Sequence, residues 1–217
     1  RRPRAWNPAV QIGVIEDMAA PNDALGPVAL ASASVDGVPG NRQSTRPMFS
    51  PDGRHLAFIS EATNLVPGDT NAATGIFLKD LTTGTISRVS VNAAGVEGDG
   101  ASFNRAFSAD GSKIAFTSLA GNLVANDADL LVGVFVKDLV TGAVTLVSSD
   151  AAGTPVSAER AAPAFLPDGT GVTFLTSAAL SPDDTNGKRD LYRKDLVTGA
   201  VTRLSGDGDA DLFDPVL

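Results

Sequence analysis

The stretch DTNGKRD at 184–190 places Asp184, Asn186 and Asp190 at alternate positions around Gly187. Side-chain oxygens at that spacing, beside a glycine that sharpens the turn, are what a calcium loop uses, with backbone carbonyls or water completing the shell. Asp184, Asn186 and Asp190 are therefore the candidate calcium ligands. Two earlier stretches are thinner versions: Asp69 and Asn71 with Gly75 in the third place, and Asp127 and Asp129 with Gly133. The spacing is not that of an EF-hand loop, so its geometry does not transfer. The plain alternative is an Asx turn, in which the side-chain oxygen satisfies the backbone without metal.

Other chemistry-bearing residues point to structure rather than reaction. Asp207, Asp209, Asp211 and Asp214 gather in SGDGDADLFD, a sequence that reads as a solvated link. Lys79, Lys137 and Lys194 each precede an aspartate, Asp80, Asp138 and Asp195. Adjacent residues of a strand face opposite ways, so the aspartate is expected to open a turn and the lysine to lie on a solvated face or edge. A series repeated in this way is structural, since an active site needs one unique constellation. His55 is the only histidine, which excludes a histidine-based metal site. The G-x-S-x-G elbow of α/β-hydrolases is absent, as are H-E-x-x-H and the P-loop. The sialidase Asp-box is not matched, because SPDGRHLAF lacks its tryptophan. No catalytic residue is assigned. Trp6 and Tyr192 are the only Trp and Tyr, too few for an aromatic sugar platform.

These residues recur because the chain recurs. Asp-Gly at 52–53 returns at 110–111 and 168–169, a step of 58 residues each time. The KDL tripeptides and the Thr-Gly pairs at 83–84, 141–142 and 198–199 follow the same step, with one residue lost in the last interval. Such a period must be read before any local feature. Within one copy, RPMFS (46–50) is a strand and SPDG a tight turn, with Pro51 and Gly53 at positions that suit their backbone preferences. HLAFIS (55–60) is an apolar strand of the kind buried on both faces. A long loop (61–75), a strand IFLKDL (76–81), a second turn and a more polar strand TISRVS (85–90) complete the copy. Four antiparallel strands per repeat make a β-propeller blade. Phe49, Phe107 and Phe165, and Phe58, Phe116 and Phe174, keep the same step and are expected to pack blade against blade.

The expected architecture is all-β: a propeller of four-stranded blades with three full blades and partial blades at both ends. The expected boundaries are an N-terminal segment at 1–9, a partial blade at 10–40, blades at 41–98, 99–156 and 157–206, and the first strand of a further blade at 207–217. Rings of six or seven such blades need roughly 350–400 residues, so the 217 residues read as part of a larger or composite ring, with a single four-bladed ring, in which the C-terminal strand joins the N-terminal pair, as the alternative. Open blade edges would then favour self-association. The chain opens on Arg1 rather than Met, which reads as a processed or excised segment.

The formal net charge of −8 argues against nucleic-acid binding, which needs a basic footprint. No apolar run is long enough to span a bilayer. The absence of cysteine rules out disulfides, thiolate zinc sites and cysteine nucleophiles.

RPMFSPDGRHLAFIS with NLVPGDTNAATGIFLKDLTTGTISRVSVNAAG, and LSPDDTNGKRDLYRKDLVTGAVTRLS most closely, resemble the TolB-type, WD-like propeller repeat of bacterial proteins. The last stretch is similar to the subgroup whose loops read D-T-N-G-x-x-D. The resemblance spans residues 10–217. It implies a periplasmic, secreted or cell-surface setting and says little of function; since propellers present loops on two faces, the expected role is a non-catalytic scaffold that binds a protein or peptide. It also leaves two alternatives: a module of a larger enzyme such as a serine peptidase, or a structural assembly component. Fold alone does not choose among them.

Overall fold

A computed structural model describes residues 29–127 and 131–206. The chain divides into two compact units, Arg1–Arg88 and Val89–Leu217. The expected partial blades at the ends lie largely outside the described residues, as do the acidic run at 207–214 and Asp129.

Among the described residues the first unit holds one sheet: β1 (Ser44–Phe49), β2 (His55–Ser60), β3 (Gly75–Asp80) and β4 (Ile86–Arg88). The second holds two: β5 (Ser102–Phe107), β6 (Lys113–Ser118), β7 (Gly133–Asp138) and β8 (Val144–Leu146), then β9 (Ala164–Phe165), β10 (Gly171–Thr176), β11 (Asp190–Asp195) and β12 (Val201–Arg203). Each sheet is an antiparallel meander with its strands in chain order. The described residues contain no helix. The fold is all-β, built of β-propeller blades.

Turn chemistry sets the register. In the first turn Ser50 Oγ donates to Asp52 Oδ1 and accepts from His55 N at 2.9 Å, while Asp52 Oδ1 accepts from Arg54 N at 3.1 Å. Ser108 and Asp110 repeat this. The second turn is opened by the aspartate, as expected: Asp80, Asp138 and Asp195 each accept two backbone N–H groups from the residues two and three ahead. Those N–H groups, those of Thr83, Thr141 and Thr198 foremost, hold all three carboxyls below the ordinary range.

Each blade is filled by one aromatic pair facing across its two central strands. Phe58 lies opposite Phe77, Phe116 opposite Phe135 and Phe174 opposite Tyr192, with ring centroids 5.9, 5.7 and 6.1 Å apart. Burial of such a side chain stabilises by about 1.5–3 kcal/mol. In the second unit Phe174 and Tyr192 share one core with Ala115, Val134 and Val136, so its two sheets pack face to face. Phe165 also packs there. Phe49 departs from the expected packing role: it is 51% exposed, because it ends edge strand β1, whose residues from Arg46 onward all lie open.

β1 and β5 each carry a bulge, between Thr45 and Met48 and between Phe103 and Arg105. Arg46 and Asn104 occupy it with φ of 52° and 43°. The extra residue increases local twist and bends the strand.

Candidate functional site

The meander puts both short turns at one end of each sheet. The long loop, and the chain entering the first strand, lie at the other. These two segments are tied together. In the first blade Asn41 N donates to Asn64 Oδ1 at 2.8 Å, and Thr63 N donates to Asn41 Oδ1 at 3.0 Å. In the second, Asp99 N donates to Asn122 Oδ1 at 3.1 Å and Gly121 N to Asp99 Oδ1 at 2.8 Å.

A buried charge latch pins the far part of the loop to the outer strand. In the first blade Asp69 of the loop pairs with Arg88 of β4, both side chains at most 5% exposed. The Arg88 guanidinium lies 5.4 Å from the centre of the Phe77 ring. In the third blade Arg203 of β12 takes the place of Arg88. Its Nη2 donates to Asp190 Oδ1 at 2.9 Å and stands 3.9 Å from Asp184 Oδ1. Its Nη1 donates to Asp183 O at 3.2 Å. Tyr192 Oη donates to Asp184 Oδ2, and Ser205 Oγ to Asp190 Oδ1. In the middle blade the position of the arginine is Leu146, and Asp127 is buried.

The electrostatics follow from this packing. Burial drives the Asp190 carboxyl up, but the bonds from Ser205 and Arg203 and the guanidinium charge outweigh it, so the group titrates below the ordinary range. Burial, then the bond to Asp184, pushes the Tyr192 phenol up to about 12.

The structure thus brings two of the three sequence-predicted ligands, Asp184 and Asp190, onto one guanidinium. Asn186 instead closes an Asx turn, its Oδ1 accepting from Lys188 N at 2.8 Å. Calcium wants several unengaged oxygens converging on one point. Here Asp184 Oδ2, Asp190 Oδ1 and Asn186 Oδ1 are all engaged, and no three His, Asp or Glu side chains gather as a metal cluster among the described residues. With these three engaged, an ion would have to draw on what is left, such as Asp190 Oδ2, which is buried without a hydrogen-bond partner.

Why the third loop has an aspartate where the others have glycine is a packing matter. A Cβ on Gly75 would come 3.1 Å from the Phe77 ring, and one on Gly133 would come 2.5 Å from Phe135. In the third blade the ring is Tyr192, whose hydroxyl is held by Asp184. Asp190 and Tyr192 change together in that blade.

The lysine series differs from the sequence expectation. Lys137 and Lys194 are buried, and Lys79 is half-buried. Their ammonium groups cap carbonyls of the segment leading into their own blade. Lys79 reaches Ala33 O at 3.3 Å, Lys137 reaches Asn92 O at 3.2 Å, and Lys194 reaches Asp150 O at 2.6 Å and Ser149 Oγ at 3.0 Å. A long stem lets lysine cross apolar surface and still place its charge on polar atoms. Burial lowers all three pKa values. Sequence reasoning also passes over Arg88 and Arg203. The signal that could find them is an arginine 19 residues after the loop aspartate in the first and third copies.

No protein-family model matches the sequence, and no curated protein matches it. Solved structures do. TolB from Acinetobacter baumannii is 23% identical with a TM-score of 0.49, the match covering 85% of this chain and 36% of that one. A putative TolB from Agrobacterium tumefaciens is 18% identical with a TM-score of 0.47, covering 73% and 45%. The β-propeller domain of the Trilobed protease from Pyrococcus furiosus is 15% identical with a TM-score of 0.45, covering 73% and 40%. The likeness is one of fold. The chain spans less than half the length of each of these structures, and its blade assignment rests on its own sheets.

Proposed function

We propose that the chain is a non-catalytic propeller scaffold whose long loops and link segments bind a protein or peptide, in the extracytoplasmic bacterial setting that the repeat's resemblance implies. The observation that carries this reading is the use made of the polar side chains at the loop end. Asp69 with Arg88, Asp184 and Asp190 with Arg203, and the Asn41–Asn64 and Asp99–Asn122 ties all hold loops in place. Loops fixed before binding lose less entropy on capture, so a rigid loop face favours recognition by complementarity. Calcium enters this reading through Asp190 Oδ2, which has no hydrogen-bond partner, together with oxygens of Asp184, Asn186 and Asp190 that a shift of Arg203 would free, and chelation tests it.

The experiment is site-specific photo-crosslinking in a bacterial envelope fraction. Reactive residues replace the exposed link valines Val38 and Val96, or the exposed turn valines Val140 and Val197. Discrete protein adducts from the link positions alone are expected. Adducts confined to the turn positions would refute the assignment of the binding end. Peptide hydrolysis by the purified chain would refute a non-catalytic role.

A further inference from the structure

Three Asx turns in the described residues are built on asparagine. Asn71 Oδ1 accepts from Ala73 N at 2.8 Å, Asn92 Oδ1 from Ala94 N at 2.9 Å, and Asn186 Oδ1 from Lys188 N at 2.8 Å. The residues that follow them are Ala72, Ala93 and Gly187, and Asn186-Gly187 is the sole Asn-Gly pair in the chain. Gly187 has φ of 63° and open space where a Cβ would stand. Its amide donates no hydrogen bond among the described residues. The buried Asn186 carboxamide nitrogen lies near enough to Asp190 to help hold that carboxyl down, yet makes no well-formed hydrogen bond.

We propose that Asn186 is a self-modification site, converted to aspartate and isoaspartate by attack of its own backbone. The Gly187 nitrogen gives its proton to hydroxide and bonds to Asn186 Cγ. The negative charge that develops falls on Oδ1, where the Lys188 N–H already points. A donor set in advance on a developing oxyanion stabilises the transition state without reorganisation. The Cγ–Nδ2 bond then breaks and ammonia leaves with a proton from water, closing a five-membered imide. Water opens the imide at either carbonyl. The sum is one water consumed and one ammonia released, with no oxidant or cofactor. At Asn71 the same turn is followed by Ala72, whose methyl group crowds the attacking nitrogen.

Conversion adds a fourth carboxylate to a loop that already holds Asp183, Asp184 and Asp190, the last two served by one guanidinium. It also gives the third loop the acidic pattern that the second carries in sequence, where the matching residue is Asp129. The modification is a slow, irreversible charge change at the loop end.

The deciding experiment is incubation of the folded chain at mildly alkaline pH, followed by peptide mass mapping and enzymatic methylation specific for isoaspartate. The Asn186 peptide is expected to convert ahead of those of Asn71 and Asn92. Conversion should be lost in Gly187→Ala and slowed in Lys188→Pro, which removes the N–H donor but keeps the glycine. Conversion of Asn71 or Asn92 first, or of Asn186 only after unfolding in urea, would overturn the proposal. Neither result bears on partner binding, which the crosslinking reads separately.

Discussion

Replacing Arg88 by leucine, the residue at the matching place in the middle blade, isolates the charge latch. Arg88 and Asp69 are both buried, the arginine 5% and the aspartate 1% exposed at the side chain. Removing the guanidinium alone leaves a carboxylate with its desolvation uncompensated, which costs about 3–5 kcal/mol. The lost stacking over Phe77 adds about 0.5–1 kcal/mol or more. For a chain of this length each kcal/mol moves the melting temperature by roughly 2–4 °C. Arg88→Leu is therefore expected to melt roughly 7–24 °C below the parent chain. The double variant Asp69→Leu/Arg88→Leu removes both charges, and apolar replacement of a whole buried pair is often neutral or stabilising. It should recover most of the loss. The assay is calorimetric melting of parent, both single variants and the double, read as a double-mutant cycle. A single variant within about 2 °C of the parent would refute the latch. So would a double variant that falls as far as the singles, because the loss would then lie in packing rather than in an unpaired charge.

Further outcomes follow from the other blades. Chelation should leave the parent melting temperature unchanged, because Arg203 serves the Asp184–Asp190 pair, while Arg203→Gln should melt lower and regain stability on adding calcium; a parent chain that loses stability on chelation would place an ion at the loop. Lys194→Met should cost about 1–3 kcal/mol by leaving buried carbonyl oxygens without a donor, and Lys79→Met less, since that ammonium is half-buried and reaches its carbonyl at 3.3 Å; equal urea midpoints would contradict the capping role. Asp110 is held down to about 2, first by the Ser108 hydroxyl, so its folded pKa lies below its unfolded value of 3.8. Its contribution is present above 3.8 and lost as pH falls through about 2, because the unfolded chain takes up the proton first. Asp110→Asn should flatten the acid limb of a stability–pH curve over that window, and an unchanged limb would remove the Ser108–Asp110 bond from the account.

The DTNGKRD motif shows that oxygens legible in a sequence can be engaged by the fold. DTNGKRD displays oxygen atoms at useful intervals, yet a linear pattern carries no information on which oxygens a distant residue will engage. Arg203 lies in the last strand of the same sheet, 13 residues beyond Asp190, and only strand pairing brings its guanidinium between the two carboxylates. The lysines fail for a related reason. Alternation along a strand predicts which way a side chain leaves the backbone but not what the neighbouring segment offers it, and the carbonyls that Lys137 and Lys194 cap lie 44–46 residues away.

The sequence by itself determined the blade. A 58-residue period, turn-forming Asp-Gly and Thr-Gly pairs, and aromatic residues at fixed offsets specify local backbone geometry, and local geometry repeated in order forces an antiparallel meander. The aspartates that open the turns were equally plain, since each bonds to N–H groups two and three residues ahead. Tertiary structure alone decided the charges: which arginine meets which aspartate, which lysine is buried, and that Phe49 is left open while Phe58 is not. The reason is physical. Turn and strand preferences act over a few residues, whereas the fate of a charge depends on desolvation and partners that only the packed sheets supply.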